Sequence, residues 1–115
     1  MAAAPYDITI EQGATWRTTL TVKDATGAAV DLTGYSARMQ IRPSVESTTV
    51  LLELATGSGI TITGPAGQIA LVITATATTG INWTGAVYDL ELTAPGGDVT
   101  RLLQGRVALS PEVTR

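Results

Sequence analysis

A chain of 115 residues has room for one hydrophobic core. With no cysteine and no histidine, it lacks a thiol nucleophile, an imidazole base, disulfides and Cys- or His-ligated metal sites. Seven cations against ten carboxylates give a net charge of −3, which excludes the basic footprint of a nucleic-acid binder.

Charged residues make up only 15% of the chain, under the quarter or so usual in soluble domains. Threonine fills the gap at twenty positions. Its β-branched shape suits a pleated strand and its hydroxyl tolerates water, so composition alone points to β structure. The segment from Met1 to Pro5 has neither the basic start nor the apolar core of a signal peptide, and nowhere do about 18 apolar residues run together. A soluble, unexported protein is expected, with residues 1–5 a flexible arm or a lead-in to the first strand and 6–115 a single domain.

Period-two alternation then marks the strands in turn. Tyr6, Ile8 and Ile10 alternate with Asp7, Thr9 and Glu11 before Gln12 and Gly13 break the run. From Thr15 to Lys23, Trp16, Leu20 and Val22 share one face, and the residues from Asp24 to Gly27 have turn chemistry. Tyr35, Ala37, Met39 and Ile41 alternate with Ser36, Arg38, Gln40 and Arg42 up to Pro43. A polar loop leads to a strand at Val50–Leu54, and a hairpin pairs Ile60–Thr63 with Gln68–Ile73. Thr74 to Gly80 predicts a single helical turn capped by Thr74. Gly85–Thr93 puts Ala86, Tyr88, Leu90 and Leu92 inward and Asp89 and Glu91 outward. Val99–Leu109 is the last strand, where Gly105 marks a bulge or a close backbone approach. Seven or eight strands at roughly ten-residue spacing predict an all-β fold, an antiparallel β-sandwich (Ig-like or a small barrel) with at most one short helical turn.

Few residues suggest chemistry. Asp89 and Glu91, two apart on one strand face, stand roughly 6.6 Å from each other along the backbone, a separation that glycosidase carboxylates also use. Without an aromatic cleft the favoured reading is a solvated face balanced by Arg101 or Arg106 on the next strand. Asp24, Asp31 and Asp98 lack the spacing of a calcium loop and are explained by turns. Trp16 belongs to the core by its face. Trp83 lies in a connection, at the end of the core or in a partner interface. Arg38 and Arg42 form a row of long donors with Gln40 that could bridge a neighbouring subunit. No catalytic residue, metal site or cofactor is predicted; Arg38, Arg42 and Trp83 are the candidate partner interface.

The ordered strings WRTTLTV from Trp16, VDLTGYSARMQIR from Val30 to Arg42, GQIALVITA from Gly67, GAVYDLEL from Gly85 and RLLQGRV from Arg101 span nearly the whole chain. Together they resemble small β-sandwich structural proteins of tailed bacteriophages. The likeness is to the amino-terminal domain of upper-baseplate proteins and to short proteins associated with tail fibres, in which DLTG leads into a strand and YDLEL precedes the final hairpin. The resemblance implies a non-enzymatic virion protein of tail, baseplate or fibre attachment, made in the host bacterial cytoplasm, and supplies no catalytic residues. Expected partners are copies of itself and other virion proteins, with no nucleic acid, membrane or small-molecule substrate. A capsid decoration protein and a carbohydrate-binding β-sandwich module are the alternatives. The low charge and single lysine also predict a ring or other symmetric oligomer.

Overall fold

The computed structural model describes residues 3–114. Nine strands and one helical turn follow the predicted order: β1 (Ala4–Pro5), β2 (Ile8–Glu11), β3 (Trp16–Thr21), β4 (Ser36–Arg42), β5 (Leu52–Thr56), β6 (Gly59–Thr63), β7 (Gln68–Ile73), α1 (Ala75–Thr79), β8 (Gly85–Thr93) and β9 (Val99–Ser110). The all-β expectation holds. The antiparallel sandwich is replaced by one curled, mixed sheet in the order β1, β9, β8, β4, β5, β6, β7, β3, with β2 also on the outer side of β9.

Two parallel contacts make the sheet mixed. Residues 4–11 return along the full-length last strand and run parallel to it, Ala4 beside Leu103 and Ile8 to Glu11 beside Val107 to Ser110. Thus Ala4 and Pro5, assigned to the arm on sequence grounds, lie against β9, while Met1 and Ala2 fall outside the described residues. The parallel contact between β5 and β6 covers only two residue pairs, Ala55 with Gly59 and Thr56 with Ile60. It is a kink at a tight turn, closed by the Ala55 and Ser58 amides donating to each other's carbonyls, rather than a crossover.

Alternation explains which face the curl encloses. Ala37, Met39 and Ile41 of β4, Ile69, Leu71 and Ile73 of β7, and Ala86, Tyr88, Leu90 and Leu92 of β8 are all buried in one core with Ile8, Ile10 and Val107. Trp16 and Leu20 are half-buried and pack against this core from the edge strand β3. Leu32 enters it through the DLTG turn. The Asp31 carboxylate accepts the Thr33 amide at 2.9 Å and the Thr33 hydroxyl at 2.6 Å, and the Leu32 amide donates to Gly64 O at 2.8 Å. These bonds, the Thr33 hydroxyl first, hold the Asp31 carboxyl below its ordinary range.

Thr74 caps α1 as predicted, accepting from the Ala77 amide at 3.2 Å. The helix is anchored by Thr78, fully buried, whose hydroxyl accepts the Gly13 amide at 3.1 Å and lies 2.9 Å from Ala14 O. The close-approach reading of Gly105 holds: a Cβ there would be driven into the Tyr6 carbonyl. The bulge lies elsewhere, since Leu90 pairs Leu103 while Glu91 pairs Arg101, leaving Leu102 as the extra residue. That insertion breaks the phase of β9 and puts Val99 58% into solvent.

Candidate functional site

The polar face of β4, β8 and β9 forms a groove of about 560 Å³. Strand register builds it from two cross-strand rows: Arg38, Glu91 and Arg101 in one, Gln40, Asp89 and Gln104 in the other. In the first row opposite charges alternate across the sheet, and in the second a carboxylate lies between two amides, which favours this register and leaves a field of mixed sign. Ser44 and Val45, from the loop after β4, form part of the rim, and Val45 stands 81% exposed.

The two predicted arginines have different roles. Arg42 is committed to the loop, its guanidinium donating to Ser47 O and to Gln40 Oε1, each at 2.7 Å. Gln40 in turn donates to the Glu53 carboxylate. This chain fixes the segment that carries Val45. Arg38 is exposed, opposite Glu91 in the register, and free to meet an incoming group. The expected relief of the Asp89 and Glu91 repulsion comes from Arg101, whose Nε lies 3.4 Å from Asp89 Oδ2. Arg101 also donates to Gln104 Oε1 at 3.3 Å. With side chains 53% and 38% exposed, the ion pair is a solvated one of small energy.

Trp83 is not part of this groove. It lies half-buried in the connection between α1 and β8, packed against the core. The sequence therefore marked Arg38 and Arg42 together, but missed Gln104 and the Val45 loop. Alternation with Leu103, Val107 and Leu109 already turns Gln104 outward, but only the β8–β9 register sets it beside Asp89. Nothing in the loop's polar composition distinguished Val45.

At one end, Tyr88 reaches from the core to donate its hydroxyl to Tyr6 O. Burial, reinforced by the electrostatic influence of Tyr6 and Asp7, pushes its phenol up to about 12. Tyr88 is thus a structural fastener for the amino-terminal strand and stays protonated at neutral pH.

Among the described residues no group of three or more Asp or Glu side chains is placed to hold a metal ion, and no helix is long and apolar enough to cross a membrane. No family model and no curated protein matches the chain in sequence.

Proposed function

We propose that this chain is a non-enzymatic structural subunit of a tailed-phage virion, acting in the tail, baseplate or fibre attachment by protein–protein contact. The observation that carries the contact role is the Val45 loop. An exposed apolar side chain is held by the Arg42 staple at the rim of a groove where Arg38 is open. An apolar tip beside a guanidinium and mixed charges is the makeup of a protein-binding surface, where arginine is enriched and lysine depleted. The virion assignment draws on the strings from Trp16 to Val107 that resemble phage structural proteins.

The test is location and dependence. Antibody against the chain should label purified particles at the tail or baseplate, and a Val45→Asp, Arg38→Glu double variant should fold normally yet fail to incorporate. Labelling of the capsid surface would favour a decoration role instead. Absence from the particle would reject the virion reading.

A further inference from the structure

The curled sheet ends in two open edges, and their chemistry is complementary. On β2, the Tyr6 amide donates to Gln104 O and the Gln12 amide to Ser110 O. The parallel ladder between them directs the even residues toward β9, so Asp7, Thr9 and Glu11 aim their amides outward. On β3, the Val22 amide donates to Gly67 O. Continuing that phase along the register pairs residues 16, 18 and 20 with β7 and turns the backbone of Arg17, Thr19 and Thr21 outward. Among the described residues, no backbone or side-chain partner meets the outward amides of Thr9, Arg17, Thr19 or Thr21.

Side chains follow the same phase. The odd residues on both edges are exposed; the even ones, Ile8 and Ile10 on β2 and Trp16, Thr18 and Leu20 on β3, face the core side. When outward amides and outward side chains belong to the same residues on both strands, the chirality of the L-residue fixes how the edges can meet. They pair antiparallel, with odd opposite odd and apolar face continuing into apolar face. Charge then selects the register. Glu11 and Arg17 are exposed and, among the described residues, unpaired, and setting them opposite each other puts Thr9 against Thr19, Asp7 against Thr21, and Ile8 against Leu20. Two β3 edges centred on Thr19 would instead set Arg17 against Thr21 and forgo the Glu11–Arg17 pair, and two β2 edges centred on Thr9 would set Asp7 against Glu11.

Edges whose amides bond nothing are a hazard unless something covers them. We infer that a second copy of this chain covers them: its β2 edge adds to the β3 edge in antiparallel register, Glu11 of one copy against Arg17 of the other. This deepens the contact-based reading above by naming one partner and one surface distinct from the Val45 groove. The interface is a heterologous one, capable of closing a ring.

Proline at an outward-facing edge position removes an amide that bonds nothing within the chain, so Thr9→Pro and Thr19→Pro each block one edge while sparing the fold. Circular dichroism of each variant verifies that folding. Light scattering across concentration should show the unmodified chain rising above one chain mass and each proline variant staying at one. An equimolar mixture of the two variants retains one good β2 edge and one good β3 edge, and should reach two chain masses and stop. Arg17→Glu should weaken association several-fold, and adding Glu11→Arg should restore it. Three results would overturn the inference: a strictly monomeric unmodified chain, self-association of Thr9→Pro alone, or slow amide exchange at Thr9 and Thr19 in the monomer, which would pair these edges within one chain. None of them bears on whether the protein is found in a virion, so the two proposals fail separately.

Discussion

Single side chains here act mainly by closing space or satisfying backbone groups. Leu90 lies at the centre of β8, fully buried between Met39 on β4 and Leu103 on β9. Leu90→Ala should cost about 2–5 kcal/mol, transfer and cavity terms together, in urea unfolding; a loss under about 0.5 kcal/mol would mean the site collapses without a cavity. Tyr88 gives a pH signature. Its phenol is raised in the fold to about 12 from an ordinary value of 10.0, so its contribution is complete below pH 10 and falls as pH climbs from 10 toward 12. Tyr88→Phe should flatten the alkaline fall in stability over that window. It also loses the bond to Tyr6 O, a cost of about 0.5–1.5 kcal/mol at neutral pH. An unchanged alkaline profile in the phenylalanine variant would refute the assignment.

Elements hold one another through a few contacts whose loss is local. A helix of five residues cannot persist alone, and α1 is kept by Thr78, buried against the turn between β2 and β3. Thr78→Val keeps the volume but strands the Gly13 amide and the Ala14 carbonyl, so a loss of about 1–3 kcal/mol is expected in denaturant unfolding. The parallel addition of β1 and β2 to β9 depends on the absent side chain at Gly105, where Tyr6 and Asp7 fold in and the Asp7 carboxylate accepts the Arg106 amide at 2.9 Å. Gly105→Ala should release residues 4–7 from β9. Amide exchange would then speed at Tyr6 and Arg106, with β4 and β7 unchanged; equal protection in the variant would show that the strand can shift to admit a methyl group.

At the scale of the whole molecule, protection should follow position in the sheet. Strand β8 is flanked by β4 and β9 and contributes four buried side chains, so its amides should exchange by global opening, whereas β3, with one neighbour, opens at lower energy. Slowest exchange at Met39, Leu90 and Leu92 and fast exchange at Arg17, Thr19 and Thr21 in dilute solution are expected. The reverse order would place the stable unit around β3. The same single-sheet architecture exposes two edges rather than the paired faces of a sandwich, and so moves attention from faces to edges as contact surfaces.

The sequence by itself determined most of the strands, the inward side of β2, β3, β4, β7 and β8, and where turns occur, although it set β5 two residues early, at Val50–Leu54 rather than Leu52–Thr56. Alternation with period two records burial residue by residue, and Thr74, Gly80 and the DLTG turn act through neighbours a few positions away. Arg38 and Arg42 on one strand, and Asp89 and Glu91 on another, were therefore legible as two polar faces, and only the β4–β8 pairing joins them into one. Partner choice was decided only by the tertiary structure. Whether residues 4–11 run with or against β9, whether the sheet curls or splits in two, and whether Trp83 joins the Arg38 groove depend on contacts between residues far apart in the chain. Local periodicity is the same for parallel and antiparallel neighbours. The Leu102 bulge shows the limit most plainly: one extra residue, invisible in the pattern of apolar side chains, reverses the faces of the strand end from Val99 to Arg101.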